Sequence, residues 1–229
     1  MAALELDAPS TARLPSLHRQ QLVRLSVDGW HRVLQQPRDA EARACLSLWA
    51  ERGLPLVVTR QPPSQGHLLA TGLPAPARFG RRRLAVGVAP GDVLFLDEFP
   101  STTAVTRQLP RAVAATWRTL LAALAANDCV ARVYGGYGWQ ALTRMAYVHA
   151  ESDVDLLLPV ASTAHADAVA QLLAATAWDG PRLDGELLLP DGGAVAWREW
   201  REHRDGRVAQ VLVKRLRGVA LETPGARLA

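Results

Sequence analysis

The sequence predicts an α+β fold in two parts: an N-terminal α+β subdomain, then a mixed sheet with flanking helices. Three observations carry this. Short β-branched runs such as Leu56-Val57-Val58 and Leu84-Ala85-Val86-Gly87-Val88 read as buried strands. Residues 112–127 form a helix whose inward face holds Val113, Trp117, Leu120, Leu121 and Leu124. Pro190-Asp191-Gly192-Gly193 lies between two extended runs and signals a hairpin, which requires antiparallel pairing.

The 229 residues suffice for one large domain or two small ones with real cores. With 49% hydrophobic and 21% charged residues, the balance is that of a soluble globular chain. The formal charge of +4, carried mainly by arginine, suits anionic partners without choosing among phosphates, nucleic acid and acidic protein. Cys45 and Cys129 have no metal-binding spacing, which argues against a zinc site or a disulfide framework. The first ten residues carry Glu5 and Asp7, no basic residue and no long apolar run, so they are not read as a signal peptide. No apolar run reaches membrane-spanning length, and a cytoplasmic protein is expected.

In chain order, residues 1–15 read as a flexible leader and 16–100 as the N-terminal subdomain. An extended piece at 18–25 precedes a helix capped by Asp28 and ended by Pro37. A helix at 40–52 follows, with Ala44, Cys45, Leu48 and Trp49 on one face and Gly53 as its stop. Residues 54–60 form a strand, and the Pro- and Gly-rich stretch 61–76 is read as loop. Arg81-Arg82-Arg83 leads into the strand at 84–88; a solvated strand entrance is its ordinary reading and an anion clamp its functional one. A turn at Pro90-Gly91-Asp92 precedes the strand 93–96.

The second part, residues 101–229, holds the helix at 112–127 and a strand at 129–134. Further strands are read at 153–160, 182–189, 194–200 and 208–215, with a helix at 164–176 and a frayed tail from Pro224. Its centre is the segment 134–159, which opens with Gly135-Gly136 after an apolar strand and ends in Asp153-Val154-Asp155. Residues two apart on a strand point to one side, so the two carboxylates project together. Converging carboxylates beside a glycine turn suit Mg²⁺ carrying a phosphate chain. The segment therefore reads as a site of metal-dependent phosphoryl or nucleotidyl transfer.

A glycine pair, then Asp-x-Asp on a strand, then a hairpin, resembles the nucleotidyltransferase superfamily. The longer strings Gly-Tyr-Gly-Trp-Gln-Ala-Leu-Thr at 136–143 and Ala-Tyr-Val-His-Ala-Glu-Ser-Asp-Val-Asp-Leu-Leu at 146–157 are more specific. They resemble the malonate decarboxylase holo-acyl-carrier-protein synthases, also called phosphoribosyl-dephospho-CoA transferases. Context at Arg60, Asp184-Gly185-Glu186, 195–200 and 211–214 extends the resemblance over most of the chain. It implies a nucleotidyltransferase-like catalytic domain and transfer of the prosthetic group from triphosphoribosyl-dephospho-CoA to a serine of the acyl-carrier subunit of malonate decarboxylase. Diphosphate would leave.

On that reading Asp153 and Asp155 hold Mg²⁺, and Glu186 is preferred over Glu199 as the third catalytic carboxylate. Gly135, Gly136, Gln140, Ser152 and Lys214 are the expected substrate-binding residues. For His149 and Ser152 a local structural role is the ordinary alternative, and for Trp139 core packing. Two positions depart from the family pattern: Gly136 stands where serine is expected and Arg144 where glycine is expected. The rival readings are a nucleotidyltransferase acting on RNA, protein or a small molecule, and a basic nucleic-acid-binding module. The second predicts aromatics along a basic stripe, whereas these arginines are scattered and no nucleic-acid partner is expected.

Overall fold

In the computed structural model, which describes residues 17–63 and 66–224 of the chain, the strands form two sheets. The expected leader and the last five residues lie outside the described part. The first sheet is antiparallel throughout. Strand β1 (Leu22–Leu25) lies between β2 (Leu56–Val58) and β5 (Val93–Asp97), and β3 (Leu69–Pro74) and β4 (Arg83–Val88) complete the order β4-β3-β2-β1-β5. Strand β4 alternates exposed and buried residues, as a half-covered sheet requires.

Helices α1 (Val27–Gln35) and α2 (Ala40–Glu51) belong to this part. The cap of α1 is Ser26, whose hydroxyl accepts the Gly29 N–H, rather than the expected Asp28. Asp39 caps α2 in the same way through the Ala42 N–H. The buried face of α2 is Ala42, Cys45, Leu46 and Trp49, so Ala44 faces solvent instead of the core. The largest correction is β3, which runs through the stretch read as loop. Only Pro74 and the flanking Gly and Pro residues have loop character; Leu69, Ala70 and Leu73 are buried and Thr71 bonds back to Val86.

The second part begins with α3 (Thr102–Val105) and α4 (Ala114–Ala126). Next come β6 (Arg132–Val133), α5 (Gly135–Thr143), β7 (Val154–Pro159) and α6 (Thr163–Ala175). The chain continues through β8 (Leu183–Leu188), β9 (Ala194–Ala196), α7 (Trp197–Arg204), β10 (Val211–Lys214) and β11 (Val219–Glu222). The sheet order is β11-β10-β9-β8-β7-β6, with β7 and β8 parallel and every other pair antiparallel. This is the expected α+β class.

Three expectations change here. The glycine pair opens a helix instead of sitting in a turn. Residues 197–200, read as strand, start α7, because Trp197 and Trp200, three apart, bury one helical face while Arg198, Arg201 and Arg204 stay exposed. Strand β11 had no sequence signal: its residues are largely exposed at a sheet edge, so no buried period marks them. The hairpin is present, with β8 and β9 joined through 189–193.

The second sheet has its own core around α4, α6 and α7, while the core of the first sheet draws in residues of the second part. Phe99, Trp139 and Leu157 pack with the apolar residues of the first sheet, and Trp139 lies edge-on to Phe99 at 5.5 Å between ring centroids. Backbone bonds also cross between the parts, from Gln61 N to Leu216 O, and Tyr147 donates its hydroxyl to Pro74 O at 2.8 Å. Trp139 is therefore a core residue, and its packing holds α5 against the first sheet.

Candidate active site

Strand β7 brings Asp155 to the edge of a cleft between the sheets, while Asp153 lies just before the strand. Parallel pairing sets Asp155 opposite Asp184 and Leu157 opposite Glu186. The Arg182 Nη2 donates to Asp153 Oδ2 at 2.8 Å and to Asp184 Oδ2 at 2.7 Å. Among the described residues Asp155 has no such cationic partner. Burial and the charges of Asp184 and Asp153 push its carboxyl up to about 6.

The glycine pair explains why Asp155 fits where it does. Gly135 follows Tyr134, the N-cap of α5, and has φ +58. A Cβ built there would stand 1.8 Å from Asp155 Oδ2. Only glycine can hold this conformation and let the carboxylate lie against the first turn of α5. Gly136 is different: an added Cβ would meet nothing closer than Ser152 Oγ at 3.8 Å. The Ser152 hydroxyl accepts the His149 N–H at 2.9 Å, which leaves its proton available to donate beside Gly136.

Glu186 is 4% exposed, and Lys214 Nζ donates to its Oε1 at 2.7 Å. The second carboxylate oxygen is buried and accepts no hydrogen bond among the described residues. Tyr134 joins these groups electrostatically: burial first, then the charges of Glu186, Asp155 and Asp184, raise its phenol above the usual value. Asp155 thus lies against Gly135, Ser152 lies beside Gly136, Arg182 joins Asp153 to Asp184, and Glu186 is near enough to Asp155 to help raise its carboxyl. Lys214 reaches Glu186 from β10, where it pairs with Ala194, level with Leu188 at the far end of β8. Gln140 takes another place. Its Oε1 accepts the N–H groups of Tyr147 and Val148, which fixes the loop after α5. Glu199 is also elsewhere, on α7, accepting the Leu212 N–H.

The sequence reading missed Arg182, Asp184 and Tyr134 as members of this group. Arg182 and Asp184 stand two apart and so share a strand side, a signal the Asp-x-Asp pattern overshadowed. It also left out Arg19, which reaches the cleft from before β1. Nothing local marks Arg19; only the packing of the two parts brings it there.

The cleft measures about 690 Å³, within the range of small-molecule sites. Its apolar floor includes Val57, Leu73 and Trp139, and Gly135, Gly136 and Asp155 lie at its acidic end. Among the described residues, no three His, Cys, Asp or Glu side chains converge as a ready metal cage. A Mg²⁺ ion in a phosphate site needs none, since one or two carboxylates, waters and phosphate oxygens complete its shell. Asp155 fits that use: it is uncompensated, and a cation would offset the repulsion that raises its pKa.

Two family models cover most of the chain. The phosphoribosyl-dephospho-CoA transferase MdcG N-terminal domain matches residues 18–97, and the C-terminal domain of the same family matches 100–224. The chain belongs to the phosphoribosyl-dephospho-CoA transferase family. A phosphoribosyl-dephospho-CoA transferase of Xanthomonas euvesicatoria pv. vesicatoria is 40% identical over 197 residues, covering 81% of this chain and 90% of the relative. One of Bradyrhizobium diazoefficiens is 36% identical over 207 residues, covering 89% and 88%. A more distant one, of Pseudomonas aeruginosa, is 33% identical over 73% of this chain and 78% of its own length. No solved structure matches. Membership of the phosphoribosyl-dephospho-CoA transferase family makes the chain a transferase, and the cleft with its acidic end is where the geometry supports group transfer.

Proposed function

We propose that the protein moves the phosphoribosyl-dephospho-CoA group from triphosphoribosyl-dephospho-CoA to a serine of the apo acyl-carrier subunit of malonate decarboxylase. Diphosphate leaves, Mg²⁺ is required, and the reaction belongs to the cytoplasm. One observation carries the reading: the Asp155 carboxylate is pressed against Gly135 at the N-terminus of α5, beside a cleft large enough for a nucleotide-sized donor.

Each group has a role that follows from its place. The free N–H groups of the first turn of α5 point where a phosphate oxygen can accept them, and the helix dipole favours its charge. Ser152 supplies a hydroxyl beside Gly136, in place of the serine expected at that position. Asp153 and Asp155 are the residues that would hold Mg²⁺, which when bound neutralises phosphate charge and activates the phosphorus towards attack. Asp155 is also the carboxylate assigned to accept the serine proton. Glu186, held by Lys214, keeps a second negative charge behind Tyr134 and acts on the site through that field. The first sheet forms the opposite wall of the cleft.

The test is incubation with the triphosphoribosyl donor, apo carrier and Mg²⁺, read by intact mass. A gain equal to the prosthetic group is expected. An unchanged carrier mass, with an active relative run in parallel, overturns the assignment.

A further inference from the structure

We infer that the wall formed by the first sheet is a subsite for the dephospho-CoA end of the donor, with Arg19, Arg60 and Arg83 meeting its phosphate charge. The inference rests on the proposed function for the donor's identity and assigns a place to one half of it.

The cleft lining holds one carboxylate and three guanidiniums: Asp155 comes from β7, while Arg19, Arg60 and Arg83 belong to the wall contributed by the first sheet. Several arginines outside the cleft are paired, among them Arg82 with Asp39 and Glu41, Arg182 with Asp153 and Asp184, and Arg215 with Asp191 and Glu222; what sets Arg19, Arg60 and Arg83 apart is their place on the cleft. Among the described residues no ion pair involves Arg19, Arg60 or Arg83. The Nε of Arg19 is buried and has no acceptor among the described residues, an arrangement that a bound anion completes. Arg19 is also close enough to Tyr134 to oppose the upward shift of its phenol, which puts the guanidinium on the side facing the acids.

The donor's chemistry matches this division. It carries a triphosphate at the reacting end and a diphosphate between adenosine and the pantetheine arm. The acids, a metal and the α5 N-terminus serve the first. Three unpaired guanidiniums suit the second, since arginine binds phosphate oxygens in a bidentate fashion. Val57 and Leu73 on the floor between them suit an uncharged arm.

The test is titration of the full-length chain with dephospho-CoA in chelator, followed by calorimetry, with inorganic tripolyphosphate as a second probe. Arg60→Ala/Arg83→Ala should weaken dephospho-CoA binding at least tenfold, and Arg19→Gln should do likewise. Arg118→Ala, at an exposed position of α4 outside the cleft, should bind it as the wild type does. Arg60 and Arg83 are exposed, so the double variant keeps its fold and the result is readable even where Arg19→Gln is unstable. Wild-type affinity in the double variant, no binding by the wild type, or a loss confined to tripolyphosphate overturns the subsite. If dephospho-CoA binds as expected but the carrier gains no mass, the proposed function fails and the subsite stands.

Discussion

Asp155 faces Asp184 across the parallel β7–β8 pair, and the guanidinium of Arg182 beside them is bonded to Asp184 and Asp153 instead of Asp155. One carboxylate of the group is therefore left without a counter-charge in a half-buried place. That arrangement opposes folding and serves anion chemistry once a cation is present.

The first prediction concerns stability in chelator. Burial, with the charges of Asp184 and Asp153, raises the Asp155 carboxyl from the usual 3.8 to about 6. Between those values the folded chain keeps a proton that the unfolded chain has released. This group's contribution to stability therefore falls as pH rises from about 4 to 6, and stays low above that. Asp155→Asn removes the effect. It should unfold at higher denaturant than the wild type at pH 7–8, with the difference shrinking towards pH 4, while transfer is lost. Urea unfolding at several pH values checks this; a variant less stable than the wild type at pH 8 sinks it.

The second prediction separates the two glycines. Gly135→Ala places a methyl 1.8 Å from Asp155 Oδ2 on a backbone at φ +58. The left-handed conformation alone costs about 1–2 kcal/mol, and the carboxylate must move as well. Transfer should fall by about 100-fold, the scale on which loss of a site group is felt. Gly136→Ser has room and should fold normally. It should also restore donor affinity to a Ser152→Ala variant, because either residue puts a hydroxyl at the start of α5. Steady-state KM for the donor in the single and double variants decides the matter.

Much of this site was legible because its parts are local. Gly135, Gly136, Ser152, Asp153 and Asp155 fall within one segment, and strand periodicity alone sets the carboxylates together. The hairpin was legible from its turn. What could not be read was relation across the chain: the parallel register that sets Asp184 against Asp155, and the packing that brings Arg19 to the cleft. Strand β3 was hidden because Gly72 and Pro74 give it loop composition, although its pairing with β4 leaves no room for a side chain at Gly72. Gln140 has a structural use that was hidden for a related reason. Its side chain satisfies the backbone of a loop seven residues on, a demand visible only once the loop is folded.

The third prediction tests the Glu186–Lys214 pair. Glu186 is 4% exposed, and Lys214 is its one hydrogen-bond donor among the described residues. Lys214→Met leaves a buried carboxylate unpaired and should destabilise the fold by on the order of 3 kcal/mol at neutral pH. Glu186→Gln/Lys214→Met removes both charges and should recover most of that loss. If thermal unfolding of the double variant is no better than that of the single one, the pair is not the source of the stability.

The fourth prediction distinguishes Asp153 from Asp155. Asp153 shares Arg182, whose side chain is 58% exposed, so removing its charge breaks a solvent-screened pair worth at most about 1 kcal/mol. Asp153→Asn should therefore unfold within a few degrees of the wild type, slightly below it, whereas Asp155→Asn should unfold above it. Both should lose transfer, by about 100-fold or more, because each removes a carboxylate assigned to the metal. A Mg²⁺ titration adds the decisive readout: Asp153→Asn should require more Mg²⁺ for its residual rate. Wild-type rate and wild-type Mg²⁺ dependence in Asp153→Asn would leave Asp155 as the only carboxylate of the Asp-x-Asp pair at the reaction centre, with Asp153 serving to anchor Arg182.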